Sequence, residues 1–211
     1  MNNVNHDYYE KDGKKYERPT NILNYFAPPE YVEWKVRTGN REANKVIKIA
    51  MKHGSRVDEL IRTSNKPDNK DSSEINNCWK AWNKWKADYS VVEIEFPKTA
   101  YCDYRMLAGT PDVLWGKCLI DIKTSKTIHE NYFFQLGAYA SLIPYNVKEL
   151  AILRLDKELG EYEFVNNEKV GLSVEDCILG FNSLLAYYRR YKQVQSTLQP
   201  KEKVYDGDSN T

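Results

Sequence analysis

The sequence predicts an α/β domain in which a mixed central β-sheet is flanked by helices and preceded by an N-terminal helical arm. Three observations lead to this prediction. Apolar residues recur at helical spacing over residues 20–62, and they form short strand-like runs over residues 90–123. Two further helical patterns then enclose a pair of strands. Helices packed against a mixed sheet are the layer arrangement that this order favours.

The composition is that of one soluble globular domain. The chain of 211 residues can bury one sizeable core, and its 41% apolar and 29% charged residues are ordinary for such a protein. Residues 1–17 and 195–211 are polar, so we predict flexible tails there and a single domain over residues 18–194. The formal net charge of +1 gives no overall sign of a nucleic-acid partner, so such a partner requires a local basic patch.

The four cysteines are widely spaced and include no CxxC pair. No apolar run is long enough to span a membrane, and the first residues lack the apolar core of a signal peptide. We therefore expect a reduced, cytoplasmic protein without a membrane partner. The sequence indicates no particular oligomeric state.

The helical arm is predicted over residues 18–88. Thr20 is the N-cap candidate of the first helix, and Pro29 stands in the first turn of the second. A long amphipathic helix follows over residues 40–62. A shorter helix then carries three tryptophans at helical spacing, which is more typical of core packing than of base stacking: Trp79, Trp82 and Trp85.

The second part of the domain, residues 89–194, is predicted to hold the sheet. The expected strands are residues 90–96, 106–115, 117–123, 149–157 and 161–165. Gly116 and Lys117 predict a hairpin turn between the second and third of these strands. Helices are expected at residues 127–143 and 173–193, the latter capped by Ser173.

Two aspartates and a lysine stand within the apolar segment 109–125. Residues two apart in a strand share a face, so Asp121 and Lys123 should project together, and the turn should bring Asp112 beside them. Buried charges are costly unless they are paired or bind a metal. Two carboxylates beside an ammonium suit a hard divalent cation, so we expect Mg²⁺ or Mn²⁺. A turn-capping role for Asp112 is the alternative.

Residues downstream of this strand are candidates for substrate contact. Gln135 and Tyr139 are four apart on the next helix, so they share a face that can lean over the site. Thr124 and Ser125 end the strand, where their hydroxyl or amide groups could bind a phosphate.

The helical arm carries a concentration of positive charge. Residues 35–56 contain seven basic residues and one acidic residue, Glu42. In a protein of net charge +1 this favours a phosphate-binding stripe in which Arg37, Arg41 and Arg56 contact the substrate. A solvated helix face is the alternative explanation.

Three motifs together resemble those of the PD-(D/E)xK nuclease superfamily: GTPD at 109–112, DIKTS at 121–125 and QLGAY at 135–139. The likeness is greater to its RecB-like branch, which pairs G-x-x-D and D-x-K-T with a downstream Q-x-x-x-Y. The helical arm is similar to the lead-in of phage-type exonucleases and of the mitochondrial genome maintenance exonuclease. The resemblance covers roughly residues 18–192, and it implies a restriction-endonuclease-like core.

The resemblance also implies roles for individual residues. Asp112 and Asp121 become metal ligands together with the Ile122 carbonyl, and Lys123 becomes the catalytic lysine. Glu95, with Glu93 as second choice, becomes the upstream carboxylate, although a solvated strand face also explains both glutamates.

The chain departs from the family at two places. Asp58 stands where the family's metal-binding histidine should fall, so it is a candidate ligand, and an ordinary exposed charge is the alternative. The cysteine cluster of the iron–sulfur members is missing, so no such cluster is expected.

The implied function is a Mg²⁺- or Mn²⁺-dependent DNA nuclease. We expect an exonuclease in DNA replication, recombination or repair, and a phage-encoded origin is compatible with the likeness. Two alternatives remain open: a catalytically inactive nuclease fold that binds DNA or another protein, and a metal-dependent phosphotransferase of another kind.

Overall fold

The computed structural model describes residues 8–198. The helices are α1 (Pro19–Asn24), α2 (Pro29–Thr38), α3 (Asn40–Thr63), α4 (Ser73–Asp88), α5 (Asn131–Ala140) and α6 (Val174–Leu198). The strands are β1 (Tyr8–Lys11), β2 (Lys14–Glu17), β3 (Ala100–Cys102), β4 (Leu107–Gly109), β5 (Val113–Trp115), β6 (Cys118–Lys123), β7 (Glu149–Leu155) and β8 (Tyr162–Asn166). The predicted α/β class is confirmed, with two mixed four-stranded sheets in place of one central sheet.

The sheet that carries the candidate site has the strand order β5-β6-β7-β8. Its outer pairs are antiparallel, and its central pair, β6 with β7, is parallel and aligns Cys118–Lys123 with Glu149–Arg154. Both faces are covered by helices, which explains why the two central strands are almost continuously apolar.

One face of this sheet is covered by α4 and the C-terminal half of α3. Trp82 and Trp85 lie in the core there with Ile120 of β6, and Trp79 packs against its edge. The core role predicted for the tryptophans is therefore confirmed, and α4 belongs to the main body of the domain more than to a separate arm.

The other face is covered by α5, with α6 packed against α5. Gly137 permits this close packing, because a Cβ at that position would lie 2.7 Å from the Ile178 nitrogen and closer still to the Cys177 carbonyl. Gly180 receives the Phe134 ring in the same interface. The pairing of 134 with 180 and of 137 with 177 shows that the two helices run antiparallel.

The hairpin predicted at Gly116 is present between β5 and β6. Trp115 pairs with Cys118, which leaves a two-residue loop. Gly116 has φ 60°, the conformation that the first loop position of a type II′ turn requires.

Two predicted strands differ in the structure. Residues 106–115 divide into β4 and β5, which belong to different sheets, and Pro111 between them cannot donate a ladder hydrogen bond. Residues 90–96 form a single bridge, Glu95 with Leu114, since β5 is only three residues long. Val92 is 97% exposed, so the alternating apolar pattern of residues 90–96 does not mark a strand face that is buried along its whole length.

The predicted N-terminal tail is wrong for residues 8–17, which form the β1–β2 hairpin. Asp12 and Gly13 both have positive φ, 51° and 72°, as a type I′ turn requires, and Tyr16 is buried. Glu17 pairs in parallel with Leu107, which attaches the hairpin to β4. Residues 1–7 of the predicted tail lie outside the described residues.

The predicted C-terminal tail is also shorter than expected. Helix α6 continues through residues 195–198, where the tail was predicted to begin. The remaining part, residues 199–211, lies outside the described residues. Within residues 8–198, no helix combines the length and the apolar character needed to cross a bilayer.

Candidate active site

The C-terminal end of β6 holds two of the predicted site residues. Asp121 is 1% exposed, and its Oδ2 lies 2.7 Å from the Nζ of Lys123, which shares its face of the strand. This face also carries Leu119 and is the one covered by α5. The two-residue period of the sequence predicts this shared face.

Asp112 lies next to them, immediately before β5. Val113 pairs with Ile120, so the register continues to place Asp112 opposite Asp121. Its Oδ2 accepts a hydrogen bond from the Ile122 backbone nitrogen at 2.8 Å. Because the N–H and C=O of one strand residue point to the same side, the Ile122 carbonyl also faces this edge. Two carboxylates and one backbone carbonyl therefore meet at the end of β6.

Gln135 and Tyr139 of α5 lie beneath this cluster and are buried. Gln135 Nε2 donates to Asp121 Oδ1 and to Tyr139 Oη, each at 3.0 Å, and its Oε1 accepts from Lys123 Nζ at 3.2 Å. In the structure Gln135 contacts Asp121 and Lys123 directly, and Tyr139 supports Gln135. The predicted substrate contact of both residues stays a prediction.

The first glycine of the GTPD motif makes room for this arrangement. A Cβ at Gly109 would lie 2.5 Å from Cε1 of the Tyr139 ring. The absence of a side chain at Gly109 therefore lets the Tyr139 ring pack beneath the site. The GTPD motif thus contributes a packing contact through Gly109 as well as the carboxylate of Asp112.

The charges of the cluster strongly perturb one another. Burial, followed by the negative charge of Asp121, raises the pKa of Asp112 to about 7. Burial also raises the pKa of Asp121. It opposes the charged form of Lys123 too, but the two carboxylates outweigh it and raise the pKa of that ammonium. Since burial and mutual repulsion disfavour two anions here, a bound cation would relieve the site.

The residues present fit one hard divalent cation. Asp121 Oδ2 is buried and accepts no well-oriented hydrogen bond from residues 8–198, although the Lys123 ammonium lies 2.7 Å from it. No cluster of three or more His, Cys, Asp or Glu side chains suited to a metal occurs in the same residues. Mg²⁺ is commonly held by one or two carboxylates while water and substrate phosphate complete its shell.

Thr124 and Ser125 follow the cluster at the rim of the site. Thr124 Oγ1 lies 3.9 Å from the position that a Cβ of Gly54 would take, so α3 crosses the end of β6 here. Ser125 Oγ donates to the Thr127 carbonyl at 2.8 Å, and so it is held within the loop that leads to α5.

Tyr132 is a site residue that the sequence reasoning missed. Its ring lies 4.6 Å from the Lys123 ammonium, a cation–π distance, and its hydroxyl donates to Ser125 Oγ at 3.3 Å. Tyr132 precedes Gln135 by three residues, so the helical spacing already placed it on the same face of α5.

Within residues 8–198 the two weaker candidate ligands, Glu95 and Asp58, form no metal-suited group with Asp112 and Asp121, although the negative charge of Asp58 contributes to the raised pKa of Asp112. Glu95 pairs with Leu114, two residues beyond Asp112 along the edge, and its Oε2 accepts from the Tyr145 hydroxyl at 3.3 Å. Glu93 is exposed. Asp58 accepts from the Nε of Arg62 at 2.8 and 2.9 Å.

Arg62 is the second residue that sequence reasoning missed. One of its nitrogens donates to the Pro111 carbonyl at 3.2 Å and lies 3.7 Å from Asp112 Oδ1, while the guanidinium stands 5.5 Å from the centre of the Phe96 ring. Arg62 therefore links Asp58 to the turn that carries Asp112. Its spacing of four residues from Asp58 was the available signal.

The predicted basic stripe is only partly available for phosphate. Arg56 donates to Asp71 at 2.8 and 2.9 Å and to Glu59 at 3.0 Å, so its charge is already compensated. Arg37 and Arg41 are exposed and have no ion-pair partner within residues 8–198. Arg41 stands about 20 Å from Gly54 along the axis of α3, well away from Asp121.

No protein-family model and no curated protein matches the chain. Solved structures that are similar include the crystal structure of an alkaline exonuclease, LHK-Exo, from Laribacter hongkongensis. Its TM-score is 0.35 and its identity 14%, over 56% of this chain and 70% of that chain. A similarity of this size does not by itself establish a shared activity.

Proposed function

We propose that this protein is a Mg²⁺- or Mn²⁺-dependent nuclease that hydrolyses phosphodiester bonds in DNA. The observation that carries the proposal is the meeting of Asp112, Asp121 and Lys123 at the end of β6. The sequence resemblance described above supports it and favours an exonuclease of DNA replication, recombination or repair.

The carboxylates of Asp112 and Asp121 and the Ile122 carbonyl would hold the metal. When bound, a divalent cation at such a site lowers the pKa of a coordinated water and polarises the phosphate. Lys123 would direct its ammonium toward the attacking water and the charge that develops on the phosphate.

Gln135 is the centre of the supporting contacts. Its amide uses both donor and acceptor atoms on Asp121, Lys123 and Tyr139, so Asp121 and Lys123 have defined positions before substrate arrives. Tyr132 keeps the ammonium partly shielded from water and thereby strengthens its electrostatic effect.

The test is cleavage of end-labelled single-stranded and duplex DNA by the purified protein with Mg²⁺, Mn²⁺ or EDTA. We expect cleavage with either ion and none in EDTA, because the buried carboxylate of Asp121 and the half-buried one of Asp112 need a cation to act together. Equal cleavage in EDTA would contradict the metal requirement. DNA that stays intact with both ions, while it binds the protein, would support the inactive DNA-binding alternative.

Arg62 should weaken cation binding at the site. Since its guanidinium lies 3.7 Å from Asp112 Oδ1 and neutralises Asp58, Arg62→Met should raise Mn²⁺ affinity about fivefold, equivalent to about 1 kcal/mol. Titration calorimetry without DNA measures this. Arg56→Met is the matched control, because Arg56 is paired with Asp71 instead of Asp112. The Mn²⁺ affinity of this variant should equal that of the wild type. A lower affinity in Arg62→Met would instead show that Arg62 holds Asp112 in position for the metal.

A further inference from the structure

Four aromatic side chains form a surface at the end of α1 and on the C-terminal half of α6. This aromatic surface consists of Tyr25, Phe26, Tyr187 and Tyr191. Tyr187 and Tyr191 are 62% and 38% exposed, and their rings are nearly parallel, with an interplanar angle of 14° and centroids 6.4 Å apart. The other two rings support them edge-on, Phe26 at 5.6 Å from Tyr187 and Tyr25 at 5.7 Å from Tyr191.

Contacts connect the aromatic surface to the candidate active site. Lys123 lies over the Tyr132 ring, and the neighbouring residue Asn131 donates to the Phe26 carbonyl at 3.3 Å. Phe26 in turn packs on Tyr187. The antiparallel packing of α5 and α6 agrees, since it places the middle of α6 beside the first turn of α5, so that Tyr187 and Tyr191 follow about one and two turns later. The surface therefore begins next to the site and leads away from it.

The charges that this part of α6 carries are positive, and the nearest carboxylate from another element, Glu17, accepts from the Tyr188 hydroxyl at 2.7 Å. Within residues 187–198 of α6 the charged residues are Arg189, Arg190 and Lys192, with no acidic residue among them. Arg190 has Gln193 as its hydrogen-bond partner, and Lys192 lies 5.7 Å from the Tyr188 ring, so neither charge is neutralised by a carboxylate within the described residues. A polyanion with exposed flat groups is complementary to such a surface.

We infer that the aromatic surface binds single-stranded nucleic acid, which runs from the candidate active site across Tyr187 and Tyr191. The bases stack on the two exposed rings, and the backbone follows the basic side chains of α6. The inference rests on the proposed function in taking nucleic acid as the ligand, and it adds that the strand is unpaired beside the site.

The stacking geometry decides between single and double strands. Bases in a duplex cover one another, whereas unpaired bases offer their faces to aromatic side chains, and such platforms with basic residues are typical of sequence-tolerant single-strand binding. The basic charge alone would bind either form.

The test measures binding by fluorescence anisotropy with labelled oligothymidylate and with a labelled duplex. EDTA is present so that the DNA is not cleaved during the measurement. Tyr187→Ala and Tyr191→Ala should each weaken single-strand affinity about tenfold while duplex affinity changes less. Tyr187→Phe and Tyr191→Phe should bind as the wild type does, because the ring is kept. Tyr187→Leu should lose affinity like alanine although it preserves apolar packing. Tyr104→Ala, at a 96% exposed tyrosine outside the surface, should change nothing.

Specific outcomes would overturn the inference. Unchanged single-strand affinity in the alanine variants would do so, as would an equal loss for duplex DNA. A wild-type dimer that becomes monomeric in Tyr187→Ala would assign the surface to a second copy of the chain. If the wild type cleaves DNA but the variants bind like it, the inference fails and the proposed function stands. If the alanine variants lose single-strand affinity but neither ion supports cleavage by the wild type, the inference stands and the proposed function fails.

Discussion

Asp121→Asn is expected to reduce the rate of metal-dependent DNA cleavage by about 10³-fold and to abolish Mn²⁺ binding. Lys123→Met is expected to reduce the cleavage rate by a similar factor but to bind Mn²⁺ as the wild type does. Each reduction corresponds to about 4 kcal/mol of transition-state stabilisation. Asparagine leaves the site one anion short of what a divalent cation needs. Methionine keeps the length of the lysine side chain but removes the ammonium 2.7 Å from Asp121 Oδ2.

Two matched variants control this prediction. Asp68→Asn and Lys126→Met make the same chemical changes at exposed positions outside the site, and both should cleave DNA at the wild-type rate. Cleavage is measured under single-turnover conditions, and Mn²⁺ binding by titration calorimetry without DNA. Full activity in Asp121→Asn would show that the nuclease reading is wrong or that the activity belongs to a contaminant.

Gly137→Ala is expected to lower the free energy of unfolding by about 3 kcal/mol. An added Cβ would overlap the backbone of Cys177 and Ile178, and backbone atoms cannot turn aside as a side chain can. Helices α5 and α6 must therefore separate, which loosens the layer that carries Gln135 and Tyr139. Urea denaturation followed by circular dichroism measures the change.

Gly54→Ala is the matched control for this stability prediction. Gly54 is also inside a helix, but a Cβ there meets only Thr124 Oγ1, at an ordinary 3.9 Å. This variant should be more stable than the wild type by about 0.5–1 kcal/mol, because alanine loses less conformational freedom in a helix. Equal midpoints for Gly137→Ala and the wild type would contradict the close packing of α5 and α6.

The core of the candidate site was predictable because its geometry is local. Asp121 and Lys123 share a face through the strand period, and a two-residue turn brings Asp112 opposite Asp121. The Asp12-Gly13 turn carried an equally local signal for the first hairpin, but the polar residues around it concealed the strands.

The place of Arg62 at the site depends on tertiary contacts that no local pattern contains. Its pair with Asp58 is local, but its contacts with the Pro111 carbonyl and the Phe96 ring join α3 to distant segments. The strand predicted at 90–96 needed a long partner, and the brevity of β5 left it one bridge at Glu95. These contacts depend on which distant segments pack together, and the spacing of residues within one segment does not determine that packing.

The β1–β2 hairpin has a practical consequence for anyone who shortens the chain. A protein that starts at residue 18, where the sequence suggested a domain boundary, loses the buried Tyr16 and the strand that pairs with Leu107. It also leaves Thr110, two residues before Asp112, without the Tyr9 hydroxyl that lies 3.1 Å from it. The uncovered edge of β4 would then be open to pairing with another molecule, a common origin of aggregation during expression.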